Sequence, residues 1–384
     1  MSDRAPSLES AADDAARAGN VAEAARLLDR ATAAEPGSTS LWAKLSAMRR
    51  ASGDVPGALA AIDRALGIDP LDFSALLARA LLLEKLGDPR SGEGFGHAIA
   101  QAPTDDAIPP SMRAAVDHAR GRSAVFRAEL EATLQRVITP PLDLYSRERL
   151  ARFVSNSSRR TRTFHQEPTH FHFPGLPEIE FHDRAEFPGL AGLELEWEAI
   201  RAEFKALLAA EATGMVPYIQ YPDQVPLRQW QALNHNRDWA AIHLIQNGLT
   251  IDAHAGHCPR TMAALSLLPQ PHVAGASPNA MFSMLAPRTR IPAHTGVANT
   301  RLVCHLPLIV PPSCGFRVGE TVRDWREGEA LVFDDTIEHE AWNDSDQLRV
   351  ILIFDLWAPA LSESERDAVA AIIPAAGAGS SGTL

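Results

Sequence analysis

Hydrophobic positions change their spacing part-way along the chain. Over the first hundred residues Ala and Leu recur at helical intervals, and the helical segments end near a proline: AAEP at Pro36, GIDP at Pro70 and AQAP at Pro103. Residues 104–165 keep a helical rhythm in SMRAAVDHARGR and SAVFRAELEATLQRVI without a clear repeat. The arginine-rich SNSSRRTRTF at 155–164 reads as a linker, after which FHFPGLPEIEFHD brings in Pro, Gly and aromatic residues. WEAIRAEFKALLAAEA at 197–212 predicts an amphipathic helix. Beyond it the spacing falls to two in RLVCHLPLIV (301–310), ALVFDD (330–335) and RVILIFDLW (349–357), bounded by turn signals such as PPSCG and WREGE. Short strands at this spacing predict an antiparallel sandwich or barrel, of which the jelly roll is one form. AAGAGSSGTL closes the chain as a flexible tail.

The helical region repeats itself. Gly19, Gly53 and Gly87 lie 34 residues apart; Ala24 and Ala58 follow their glycines by five residues, and Ala31 and Ala65 by twelve. Trp42 and Leu45 precede the second glycine. The period resembles that of tetratricopeptide repeats, helix–turn–helix units in which small residues let paired helices approach and glycine permits the turn. A plain Ala-rich helical bundle is the alternative. The third unit departs from the pattern, with Ser91-Gly92 where alanine is expected.

Composition narrows the partners. The 384 residues carry a formal net charge of −12, which argues against a nucleic-acid footprint. The absence of a long apolar run and of a basic leader argues against a membrane partner or signal peptide. Three cysteines, Cys258, Cys304 and Cys314, suit a reducing compartment, so a cytoplasmic location is expected.

Candidate chemistry gathers in the strand-rich half. IPAHTGVAN (291–299) and VFDDTIEHEAWN (332–343) each present a histidine, His294 and His339, that could hold one metal. A two-residue period puts Arg349, Ile351, Ile353 and Asp355 on one strand face, and Arg301, Val303 and His305 on another. Cations on otherwise apolar faces need an anion, either a bound dicarboxylate or an internal carboxylate such as Asp334, Asp335 or Asp355. His254, His257 and Cys258 have poor spacing for a second metal site and read as a loop, and His165, His170 and His172 read as linker or sheet residues.

The run HTGVANTRLVCHLPLIVP, continued by VGETVRDWREGEALVFDDTIEHEAWNDSDQLRVILIFDLWAP, resembles the aspartyl/asparaginyl β-hydroxylase family. The likeness is close over 283–358 and extends more weakly to about 166 through PGLPEIEFHD, RDWAAIHLIQNG and HCPRT. It implies a double-stranded β-helix (jelly roll) oxygenase domain over 166–362; with the TPR-like helical repeats over 1–105, which lie outside the resemblance, a helical extension and linker over 106–165 and a flexible tail over 363–384, the expected chain is a multidomain α + β protein. The likeness implies Fe(II), 2-oxoglutarate and O₂ as metal, cosubstrate and oxidant. By the same resemblance His294 and His339 are the iron ligands. Arg349 grips the distal carboxylate of 2-oxoglutarate with help from Ser283, and His305 contacts its other end with Arg301 close by. Asp335 is an outer acid that orients a metal-bound water, and Trp325 is packing. The expected reaction is hydroxylation at the β-carbon of an Asp/Asn-type side chain in a peptide or protein recruited by the repeats.

Two departures matter. Common two-histidine, one-carboxylate iron sites take the carboxylate two residues after the first histidine, where this chain has Gly296. In the resembled family Val303 stands where arginine is frequent, and Met281 where a basic residue occurs, which weakens the expectation of an acidic substrate. Arg260, Arg288 and Arg290 are candidate replacements. A free amino acid or small metabolite is the alternative substrate; a radical halogenase and a non-catalytic scaffold are more remote readings.

Overall fold

Three glycines set the pattern of the helical half. Gly19, Gly53 and Gly87 adopt φ values of 78°, 87° and 68°, a region costly for residues with a Cβ, and each turns the chain between two packed helices. The computed structural model describes residues 5–377 apart from 139, 140, 142, 211–213, 223 and 225, and divides into two units, Met1–Thr161 and Arg162–Leu384. In the first unit α1 (Ala5–Arg17) pairs with α2 (Val21–Ala34), α3 (Thr39–Ala51) with α4 (Val55–Ile68), and α5 (Phe73–Lys85) with α6 (Ser91–Ala100). Asn20 and Asp54, directly after the first two glycines, cap α2 and α4 by accepting from the backbone N–H groups of Glu23 and Gly57. Ala24, Ala31, Ala58 and Ala65 are buried, as close helix pairing requires.

The third pair departs for a visible reason. α6 starts without a side-chain cap, and a Cβ on Gly92 would come within 2.5 Å of the Phe126 ring on α7 (Pro110–Arg136). Gly92 makes room for the helix that continues the stack, which α8 (Leu144–Ser157) extends. The boundary falls at 161/162 rather than at 165/166, because the end of the arginine-rich stretch joins the second unit. There Arg162 lies 3.9 Å from Glu338, and Arg317 covers the Phe164 ring.

The second unit begins its regular structure with α9 (Leu190–Leu195) and α10 (Trp197–Ala209). Its strands are β1 (Val216–Pro217), β2 (Trp239–Gln246), β3 (Leu249–Thr250), β4 (Ala280–Leu285), β5 (Thr289–His294), β6 (Arg301–Ile309), β7 (Cys314–Val318), β8 (Thr321–Arg323), β9 (Leu331–Phe333), β10 (His339–Asn343) and β11 (Arg349–Trp357). The helices α11 (Asp252–Ala255) and α12 (Pro259–Leu265) follow β3, and α13 (Glu363–Ala375) follows β11. One sheet runs β1-β2-β4-β11-β6-β9 with β3 on β2; the other runs β5-β10-β7-β8. Every strand pairing described is antiparallel.

The two-residue period sorts the core. Leu302, Cys304 and Leu306 on β6, with Leu352 and Phe354 on β11, pack with Ile200, Phe204 and Leu207 of α10. The alternate residues Val303, Ile351 and Ile353 meet Ile291, Phe316 and Ala341 from the smaller sheet. The two sheets therefore face each other across a second apolar layer, and the candidate chemistry lies on that side.

The expected flexible tail from 363 is corrected over its described part. Ser362 and Glu365 form a reciprocal capping box at the start of α13, and Val369 and Ile373 bury against Val273. Residues 378–384 lie outside the described residues. The three cysteines are free, and among the described residues no helix is long and apolar enough to cross a membrane.

Candidate active site

Strand pairing brings the two histidines together. His294 at the end of β5 and His339 at the start of β10 are direct register partners, with ring centroids 4.0 Å apart. Each uses the same device to fix its ring. His294 Nδ1 lies 2.8 Å from the carbonyl of Pro292, and His339 Nδ1 lies 3.1 Å from that of Ile337. A carbonyl only accepts, so this pattern assigns the proton to Nδ1 in both rings and leaves a lone pair on both Nε2 atoms. Burial, reinforced by His339, pushes His294 down to about 3, and burial pushes His339 down to about 4. Both are neutral imidazoles, the form that binds metals.

The space beside Gly296 is filled from elsewhere in the chain. A Cβ built on Gly296 would stand 2.0 Å from Asp335 Oδ2, so the carboxylate occupies the room a side chain at 296 would need. Gly296 also donates its backbone N–H to the Asp335 carbonyl at 2.7 Å. The carboxylate accepts from Arg301 Nη2 at 3.1 Å, while its Oδ1 has no partner. Burial raises the Asp335 carboxyl and Arg301 opposes that rise.

Arg349 presents the reverse situation, a buried cation without a carboxylate. It is 2% exposed, its Nε has no partner, and its Nη1 lies 3.5 Å from Ser283 Oγ, at the limit of a hydrogen bond. Burial pulls it down to about 10. The alternative of an internal salt bridge from Arg349 to Asp334, Asp335 or Asp355 is absent among the described ion pairs. The Trp325 ring supports Arg349 by a cation–π contact, its centroid 4.9 Å from the guanidinium carbon. Trp325 also stacks on Phe316, so its packing role includes cradling this cation. Ser283 accepts from Trp239 Nε1 at 3.1 Å and keeps its own proton to donate.

Both groups open onto one cavity of about 330 Å³, lined also by Ser283, His305, Asp335 and Val303. His305 is held well below the usual histidine range by burial and by Arg349 and His339, and its Nδ1 is unpartnered. Arg301, expected near the cosubstrate, faces Asp335 and Asp355 instead and does not line this cavity. Two carboxylates already face it.

Several wall residues carried no periodic signal. Tyr218 stacks on Trp239 with centroids 3.8 Å apart, and Trp230 meets His294 edge-on at 4.9 Å. Trp239 was legible in principle, because a two-residue period starting there runs along β2 on the cavity side through Ala241. His170, read as a linker or sheet residue, also lines the cavity: the backbone N–H groups of Thr169 and His170 bond to the carbonyls of Gly296 and Val297. His254 donates through Nδ1 to the His243 carbonyl at 2.7 Å, and Cys258 sits in the apolar core. Among the described residues, no three His, Cys, Asp or Glu side chains gather as a metal site.

Known proteins resemble parts of this chain. Ornithine lipid ester-linked acyl 2-hydroxylase of Rhizobium tropici is 35% identical over 188 residues, 48% of this chain and 62% of that protein. Aspartate beta-hydroxylase domain-containing protein 2 of Xenopus tropicalis is 32% identical over 211 residues, 54% of this chain and 55% of that protein. Human aspartyl/asparaginyl beta-hydroxylase is 32% identical over 182 residues, 47% of this chain and 22% of that protein. The chain thus spans less than two thirds of the length of these curated relatives. Among solved structures, the Yersinia enterocolitica chaperone SycD covers 34% of this chain and 96% of its own, at 16% identity and a TM-score of 0.29. The family model for aspartyl/asparaginyl beta-hydroxylase matches residues 194–359, which contain every candidate site residue named above except Thr169 and His170, and this stretch of the chain is similar to that family.

Proposed function

We propose that the chain is an Fe(II)- and 2-oxoglutarate-dependent dioxygenase that hydroxylates an unactivated C–H bond on a double-stranded β-helix. The observation that carries this reading is Arg349, a buried cation lacking a counter-ion, in the same cavity as two neutral histidines. The donor set fits: imidazole suits iron, and an unpaired guanidinium suits a carboxylate. When bound, iron and 2-oxoglutarate supply the oxidising chemistry, with O₂ as oxidant and succinate and CO₂ as by-products.

The chain's own residues hold and orient. His294 and His339 would take the metal through Nε2. Arg349 and the Ser283 hydroxyl would take the distal carboxylate of 2-oxoglutarate, and His305 would meet its other end. Phe316, Phe333 and Ile353 keep that chamber apolar and exclude water. Asp335, beside Gly296, puts negative charge where a halogenase would need room for a halide, which weighs against that alternative.

The first substrate reading is an Asp/Asn-type side chain of a peptide or protein brought in by the helical repeats. Charge favours its neutral members. Among the described cavity-lining residues Arg349 is the one permanent cation, and the cosubstrate would occupy it. Val303 and Met281 are buried and apolar, while Arg260, Arg288 and Arg290 pair with Glu196, Asp346 and Asp344. An aliphatic chain of the acyl type is the second reading, favoured by these apolar positions and by the name of the Rhizobium tropici relative.

Anaerobic titration with Fe(II) and then 2-oxoglutarate tests the core of the proposal. Wild type should develop a visible charge-transfer band, and His339→Ala should not. A wild-type protein that gives no band refutes the proposal. Succinate release and a +16 mass product across peptides, amino acids and acyl compounds then distinguish the substrates.

A further inference from the structure

A carboxylate lies beside the two histidines without joining them. Asp335 comes four residues before His339, and its Oδ2 fills the space of the missing side chain at 296. That oxygen accepts from Arg301 Nη2 at 3.1 Å. Arg301 Nη1 stands 3.7 Å from Asp355 Oδ1, and Asp355 Oδ2 accepts from the Asn279 backbone N–H at 2.8 Å and from Asn279 Nδ2 at 3.0 Å. Asn279 in turn donates to the Ala276 carbonyl and accepts from the Asn247 N–H, which ties the chain of contacts to the backbone. The side chains of Arg301, Asp335 and Asp355 are 7%, 8% and 0% exposed.

The charge count is what calls for explanation. Asp355 alone would neutralise Arg301, and a second carboxylate buried beside them, once ionised, adds an uncompensated negative charge at considerable cost. A divalent cation between His294 and His339 would compensate it. The same cation would attract Asp335 strongly enough to draw it in as a third ligand, unless another group held the carboxylate back.

We propose that Arg301 is a positioning residue that withholds Asp335 from the metal, and that Asp355 and Asn279 fix Arg301 for this task. The proposal rests on the metal-dependent reading above. Removing the guanidinium lets Asp335 turn onto the metal, converting a two-histidine site into a two-histidine, one-carboxylate site.

Co(II) binding to the full-length protein, competed against a chelator without oxygen, tests this. Arg301→Gln should bind Co(II) roughly tenfold or more tightly than wild type, with an altered visible Co(II) spectrum. Arg301→Lys, which keeps a cation, should lie between the two, and Arg301→Gln/Asp335→Asn should lose the gain. Equal affinities for wild type and folded Arg301→Gln, or a gain that survives Asp335→Asn, overturn the proposal. Should Arg301→Gln fail to fold, Arg301→Lys is compared with Arg301→Lys/Asp335→Asn, and the absence of an Asp335-dependent gain overturns it. A wild-type protein that binds no Co(II) refutes the functional reading instead.

Discussion

The two units treat charge in opposite ways. In the first, the buried side chains are Ala, Leu, Ile, Val and Phe with five small hydroxyl residues among those described, and the ionised groups pair at the surface, as Arg49 does with Asp29 and Arg79 with Asp63. The second buries Arg301, Arg349, Asp334, Asp335 and Asp355 together with His305 and His339. Helices satisfy their own backbone groups, so a stack of them needs only apolar faces to be stable. Buried ions are costly in either unit, and a fold retains them where something must be gripped or aimed. The contrast separates a scaffold from a site without reference to sequence likeness.

Arg349 is the sharpest instance, because it has no ionic partner among the described contacts. Replacing it by methionine, of similar reach and no charge, should raise the KM for 2-oxoglutarate roughly a hundredfold or more, the loss expected when a buried charge partner is removed. The same change should leave thermal stability unchanged or raise it, since an uncompensated buried cation disappears. Succinate kinetics and a melting curve on one preparation read both effects. A lower melting temperature with an unchanged KM would make Arg349 a structural group and erase the contrast.

The converse change belongs in the helical unit. Leu45 on α3 is completely buried among Leu8, Leu28 and Leu41. Leu45→Ala should destabilise that unit by roughly 2–5 kcal/mol through lost burial and a residual cavity. Denaturant unfolding measures the loss, while the KM for 2-oxoglutarate should stay put. A large rise in KM would mean that the scaffold and the site are not separable in this way.

Asp334 tests whether every buried charge of the second unit serves the ligand. It does not line the cavity; it accepts from the Thr336 N–H and hydroxyl and from Gln166 Nε2. Burial lifts its carboxyl from 3.8 to about 6. The folded state therefore holds this proton more tightly than the unfolded chain. Its contribution to stability is greatest below about pH 4, falls as pH rises to about 6, and is flat above. The change is on the order of 3 kcal/mol. Asp334→Asn should remove that slope, gaining on wild type by about this amount between pH 4 and pH 7 in paired melting curves. Parallel curves would show that Asp334 titrates normally.

Periodicity made the skeleton legible, and long-range pairing hid the rest. The 34-residue spacing of Gly19, Gly53 and Gly87 marked turns that now share one backbone conformation, and the alternation in 301–310 and 349–357 marked β6 and β11 with their faces correctly phased. The pairing of His294 with His339 was open to inference from motif resemblance alone, because a register between distant strands has no local signature. The partner of Arg301 was equally invisible: its face on β6 was predicted, while which carboxylate it meets depends on how the β9–β10 turn folds over Gly296. The aromatic wall of Tyr218 and Trp230 comes from irregular segments where no period exists to read. Helix α13 carries a local signal in the capping pair Ser362 and Glu365, and the Gly- and Ser-rich AAGAGSSGTL that follows masks it in the composition.

The smallest predicted effect defines the other pole of the comparison. Arg79 Nε on α5 lies 2.7 Å from Asp63 Oδ1 on α4, a geometry as good as that of any buried pair in the second unit. Water changes its value. The two side chains remain 27% and 47% exposed, so solvent screens the attraction and both long side chains lose freedom in making it. Arg79→Ala should therefore cost at most about 1 kcal/mol, a shift of the melting temperature of only a few degrees, and high salt should shrink it further. A loss comparable to that of Leu45→Ala, persisting in salt, would show that the helical unit also depends on its ions, and the line between scaffold and site would then have to be drawn on other grounds than buried charge.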